Sequence, residues 1–208
     1  VDEVCTSHGV NTDFFLEIAN AYLDELYVPG EGLSLFSLGT MVNYISATHN
    51  YYKDVALPSV ELKLHRLMEH SRLTEKEINL LTTFFNDYKK DFMIHLSQEE
   101  ERILPYVLEL EKQSAMEKPD PEFIQKLRTY SIREFEQEHD RLETSLKHLS
   151  ELITKYLPPF DDLQLCHQVL NDLSALMKDL VDHADVEDKV LIPRVAELER
   201  SLLNSVSS

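Results

Sequence analysis

An all-α fold, an up-down-up-down four-helix bundle, is what this sequence predicts, and three observations carry the prediction. The four glycines are Gly9, Gly30, Gly32 and Gly39, and none follows position 39 of 208. A chain that runs so far without glycine has little use for tight β-turns. Four long stretches, at about 37–71, 74–114, 121–156 and 161–203, keep apolar residues at a helical spacing of three or four. The joints between them, SRLT, EKPDP and LPPFDD, are short and polar or proline-bearing, which makes successive helices antiparallel neighbours.

Taken in order, residues 1–28 read as two short helices, with Asn11, Thr12 or Asp13 as the N-cap of the second. The PGEG stretch at 29–32 is a linker, so 1–36 form an N-terminal helical segment and 37–203 the bundle. The chain opens on Val inside what reads as a helix, as a piece of a longer protein would. On the first long helix the stripe is Met41, Ile45, His49, Tyr52 and Ala56. On the second it is Leu81, Phe84, Tyr88, Phe92, Leu96, Ile103 and Tyr106. The third carries Phe135, His139, Leu142 and Leu146; the fourth carries Val169, Leu173, Leu176, Leu180, Leu191, Val195 and Leu198.

Bulk properties exclude several classes. A formal charge of −18 argues against nucleic acid or an anionic membrane as partner and suits a solvated helical surface. The two cysteines, Cys5 and Cys166, form neither a C-x-x-C motif nor a disulfide framework, as in a reducing cytoplasm. No apolar run reaches transmembrane length and no signal peptide is visible.

One phrase occurs twice. HLSQEEERILP runs from His95 to Pro105 and HADVEDKVLIP from His183 to Pro193. His-x-x-x-Glu places both side chains on one helical face, one turn apart. Four such pairs exist (His65/Glu69, His95/Glu99, His139/Glu143, His183/Glu187), but 95/99 and 183/187 lie within apolar stripes. A carboxylate aimed into a bundle core is costly unless it is paired or bound to a metal. Two of them at equivalent places imply a positive charge between them.

Antiparallel segments that bring two residues level must turn midway between them. Midway between His49 and Ser97 is Leu73, between Ser97 and His139 is Lys118, and between His139 and Asp185 is Asp162. All three fall on the joints. One layer therefore collects His49, His95, Glu99, His139, His183 and Glu187. Imidazole and carboxylate without thiolate favour Fe, Mn or Zn over iron–sulfur chemistry. Six such ligands suit two ions, with Glu99 and Glu187 as bridges, an oxo or hydroxo group between the ions and one position open. Pro105 and Pro193 each remove a helix hydrogen bond, which either splays the bundle end or curves the helix around its core.

His49, the two H-x-x-x-E…P phrases and EHDRL around His139 resemble the hemerythrin-like cation-binding domain over about residues 37–200. Within that superfamily they most resemble the RIC family of di-iron proteins that repair iron–sulfur clusters. The resemblance implies a non-haem centre of two iron ions that supports recovery of clusters damaged by nitric oxide or oxidants. VDEVCTSHGVNTDFFLEI is similar to the end of that family's short N-terminal domain, which carries a cysteine pair further upstream. An oxygen-carrying hemerythrin has His-x-x-x-His on its third helix. Here Glu143 follows His139, which counts against oxygen carriage and leaves Glu143 as an extra ligand or an acceptor behind one. Ferritin-like sites repeat Glu-x-x-His, and only Glu136/His139 fits that spacing.

The remaining candidates read more plainly. His65, His148 and His167 face solvent, and His8 sits beside the turn at Gly9. His70 lies roughly 31 Å along a continuous helix from His49, too far for one centre. Tyr52 either donates to a metal-bound oxygen or packs in the core, and Cys166 is a buried, inert thiol. Three functions share this ligand set: cluster repair by iron donation or nitric oxide reduction, sensing of O2 or NO, and iron storage. Small ligands such as NO or O2, and damaged iron–sulfur proteins, are the partners expected.

Overall fold

The computed structural model describes residues 1–7, 9–23, 32–69, 71–132, 139–158 and 160–206. The expected fold class is the one observed: all-α, with no strand among the described residues. The N-terminal segment holds α1 (Asp2–Ser7) and α2 (Thr12–Leu23), then a 3₁₀ turn at Leu33–Leu35. The first long helix is α3 (Leu38–Tyr51) continuing into α4 (Leu57–Glu69). The second is α5 (Glu75–Gln98) continuing into α6 (Leu104–Ser114). Then come α7 (Pro121–Leu127), α8 (His139–Glu151), α9 (Leu163–Val186) and α10 (Ile192–Val206).

Local chemistry sets the starts and stops. Gly9, at φ 67°, ends α1 with Val10 N–H bonded back to the Cys5 carbonyl at 2.8 Å, a left-handed cap that a side chain would strain. Of the three N-cap candidates for α2, Asn11 serves: its Oδ1 accepts from Phe14 N–H at 3.0 Å. Thr74 and Glu77 form a reciprocal capping box on α5, and Asp162 accepts from Leu165 N–H at 2.9 Å to start α9. At α3 the first amides, Leu38 and Gly39, donate to the Glu111 carboxylate at 2.7 and 3.0 Å, a cap supplied from α6.

The third long stretch departs from expectation. A single helix over 121–156 is not formed, because α7 stops at Leu127. Ile132 N–H, which a continuing helix would give to the carbonyl four residues back, goes instead to Glu199 Oε1 at 3.1 Å. The same buried oxygen accepts from Tyr106 O–H at 2.6 Å, and Tyr130 packs edge-on against Tyr106 at 4.7 Å.

A π turn of five residues interrupts three long helices, at Tyr52–Ala56, Glu99–Ile103 and Glu187–Leu191, and a fourth, Leu152–Tyr156, ends α8. A proline follows each by one intervening residue: Pro58, Pro105, Pro158 and Pro193. In an unbroken α-helix the ring would clash with the carbonyl four residues back and leave it without a donor. Adding one residue moves that carbonyl aside, and the residue before the proline donates five back instead, Leu57 to Tyr52, Leu157 to Leu152 and Ile192 to Glu187. Each proline of the repeated phrase thus follows a π turn that starts on its glutamate.

Two compact units organise the chain. One comprises Val1–Ile45, Arg102–Glu136 and Asp182–Ser208. In it α10 packs on α6 and α7, and Phe14, Leu33, Met41, Val107, Ile132 and Val195 share a core. The other comprises Ser46–Glu101 and Gln137–Val181. Four helical stretches there surround Tyr52, Leu64, Leu81, Phe92, Leu146, Leu149 and Leu173. Phe92, fully buried, stacks on Tyr88 at 5.8 Å and meets Tyr52 at 5.6 Å. On the second helix Phe85 takes the buried place expected of Phe84, which is only partly covered.

Burial raises the phenol pKa of Tyr88, and burial together with Glu199 raises that of Tyr106. Unfolded, each ionises near 10, while the folded chain keeps its proton, so their contribution is whole below pH 10 and is lost as pH rises beyond it. Urea titrations should show stability falling above pH 10, and Tyr88→Phe should make that fall shallower.

Candidate metal centre

Five of the six predicted ligands are placed by their helices, and the His139 side chain lies outside the described residues. His49 is in the last turn of α3, His95 in the last turn of α5, and Glu99 opens the π turn that follows. All three are buried, at 0, 8 and 5 % exposure. Glu99 presents one oxygen to each ring: Oε2 lies 3.2 Å from His49 Nε2, and Oε1 lies 3.2 Å from His95 Nε2. In the other unit His183 closes α9 and Glu187 opens the next π turn, with His183 Nε2 3.4 Å from Glu187 Oε1 and both side chains buried. The two repeated phrases therefore build the same local figure, a His-x-x-x-Glu pair whose carboxylate begins a π turn.

The donor set fits a metal. Nitrogen and oxygen donors each about 2.1 Å from one ion, at angles between right and tetrahedral, stand roughly 3.0–3.4 Å apart. The observed nitrogen–oxygen separations are of that size. Of the seven buried polar or charged side chains among the described residues, five are these predicted ligands. The other two, Gln113 and Glu199, are structural: Gln113 bonds Asp120 N–H and Glu109, and Glu199 bonds Tyr106 and Ile132 N–H. Concentrating buried ionisable groups in this way is costly for a core that has nothing cationic to hold.

The remaining candidates divide as follows. The side chains of His139 and Glu143 lie outside the described residues, as do Glu136, His8 and His70. His65, His148 and His167 are exposed, as expected. Tyr52 is a core residue: it is fully buried and its hydroxyl donates to the Asp179 carbonyl at 3.2 Å. That contact favours core packing over donation to a bound oxygen. Cys5 and Cys166 are free and buried, and burial pushes the Cys166 thiol pKa up, away from nucleophilic use.

Sequence reasoning passed over two residues. Glu100, the second acid of the first phrase, places Oε1 3.3 Å from His49 Nδ1, and Lys53 Nζ holds the same carboxylate at 2.7 and 3.0 Å. The available signal was Lys53, one turn beyond His49, facing an acid adjacent to a ligand.

An all-helical protein most of whose described buried polar groups are imidazoles and carboxylates at metal-ligand spacing belongs to the class of metal-binding helical bundles. Residues 41–195 match the hemerythrin HHE cation binding domain, so the chain is a member of the hemerythrin family. No curated protein matches it.

Proposed function

We propose that this chain is a non-haem di-iron protein that supports repair of iron–sulfur clusters damaged by nitric oxide or oxidants, working in the cytoplasm. The observation that carries the di-iron part is Glu99, whose two oxygens face two different buried imidazoles. That is the disposition a carboxylate needs to serve two ions. A further support is that His183 and Glu187 repeat the figure in the other unit, both buried and 3.4 Å apart. His95 and His139 complete the proposed set.

Bound iron would supply one-electron chemistry and a coordination position open to NO or O2. The protein's part is to hold, to select and to exclude water. Buried carboxylates favour the more highly charged ferric ion, and Glu143 stands where an oxygen carrier has a further imidazole. With fewer neutral nitrogen donors the site should grip ferrous iron loosely, which suits iron donation to a damaged cluster. Storage fits less well, since six ligands suit two ions rather than many. No helix among the described residues is long and apolar enough to cross a membrane, and the −18 charge disfavours nucleic acid.

The test compares the two redox states anaerobically, each mixed with a ferrous chelator and, separately, with NO. The reduced protein is expected to react with NO and to yield iron severalfold faster than the oxidised form, to a chelator or an apo-cluster protein. Reversible O2 binding without autoxidation, with equal release from both states, would replace repair with sensing or carriage.

A further inference from the structure

We propose that Lys53 and Glu100 are positioning residues that fix the His49 ring and set how strongly its Nε2 donates to a bound ion. The inference rests on the metal-site reading above and adds two residues that are not ligands.

The geometry is specific. His49 is fully buried, and both ring nitrogens face carboxylates: Nε2 faces Glu99 at 3.2 Å and Nδ1 faces Glu100 at 3.3 Å. With an ion held between Nε2 and Glu99, the ring proton belongs on Nδ1, where an ionised Glu100 carboxylate can only accept it. Glu99 and Glu100 are consecutive in the π turn and differ by roughly a quarter turn in direction. One therefore enters the core while its neighbour passes beside the ring. Lys53 completes the chain of contacts from the π turn after α3, binding both Glu100 oxygens. Lys53 and Glu100 are about a quarter and a third exposed, at 23 and 32 %, so the array runs from the solvent edge to the buried ring.

The charges act in opposite senses. Glu100 pulls on the Nδ1 proton and makes the ring a stronger donor, while Lys53 moderates that pull. Glu100→Gln keeps an acceptor and removes the charge, which should weaken the hold on ferric iron relative to ferrous. Lys53→Met leaves the Glu100 charge uncompensated and should strengthen it. Damage to packing would move both variants the same way.

The experiment uses the full chain loaded with iron-57. Ferrous affinity is measured by competition with a chelator, the ferric-to-ferrous affinity ratio by spectroelectrochemical titration, and the iron environments by Mössbauer spectroscopy. Glu100→Ala is expected to lower ferrous affinity about 10–100-fold, as loss of a partner behind a ligand does elsewhere. Glu100→Gln and Lys53→Met should shift the affinity ratio in opposite directions, and each should alter one iron environment while sparing the other. Shifts in the same direction, or none beyond twofold in protein that still binds iron, would overturn the proposal. Parent protein that takes up no iron would fail the metal-site reading itself, and the positioning role would fall with it.

Discussion

Glu99→Ala protein is expected to fall from about two iron ions per chain to one or none, because one carboxylate faces both His49 and His95 and its loss removes a donor from each side. Glu187→Ala should behave alike, since Glu187 opens the equivalent π turn beside His183. Elemental analysis of freshly reconstituted protein reads the effect directly. Stability should follow the metal. A ligand that binds only the folded state stabilises it by mass action, so a chelator should lower the parent's thermal midpoint more than that of Glu99→Ala. A Glu99→Ala sample that loads iron as fully as the parent would refute the bridging role. Parent protein with one ion or none would refute the di-iron reading.

Glu199→Ala should be among the most destabilising single changes outside the ligand set, by about 2–5 kcal/mol in urea titrations. Its carboxylate is 6 % exposed and accepts from Tyr106 O–H and Ile132 N–H through the same oxygen. Truncation strands two buried donors at once, and each stranded donor costs about 1–3 kcal/mol. Against a total stability of roughly 5–15 kcal/mol that is a large share. Tyr106→Phe removes a donor and leaves Ile132 N–H satisfied, so it should cost only about 0.5–1.5 kcal/mol. The double variant should cost less than the sum of the two, because the partners share one network. A Glu199→Ala protein within 0.5 kcal/mol of the parent would show that water replaces the carboxylate at Ile132.

What was legible in the sequence was what depends on periodicity and local chemistry. The helical stretches and joints follow from apolar spacing, glycine scarcity and caps such as Thr74–Glu77, all of which act within a few residues. The proposed ligands His95, Glu99, His183 and Glu187 stood out because each lies on its own helix's apolar stripe, and all are buried. His49, singled out by the same argument, is buried too. Phe84 and Phe85 show where periodicity stops resolving: adjacent aromatics both fit the stripe, and packing seats Phe85.

Other features required partners distant in sequence. The turn after α7 could not be read from helix propensity, and its Ile132 N–H finds an acceptor, Glu199, 67 residues away. The four π turns are half visible in the prolines, yet a proline can also kink or end a helix, and only the packed chain selects the extra residue. Glu100 and Lys53 looked like two of many surface charges until tertiary packing brought them to the second nitrogen of His49. By itself, then, the sequence determined an all-α chain with a repeated, stripe-embedded His-x-x-x-Glu phrase, because helical faces are set by spacing along one helix. Only the tertiary structure decided which oxygen meets which nitrogen, and which acceptor Ile132 N–H finds, because those outcomes depend on distances between residues that no local pattern encodes.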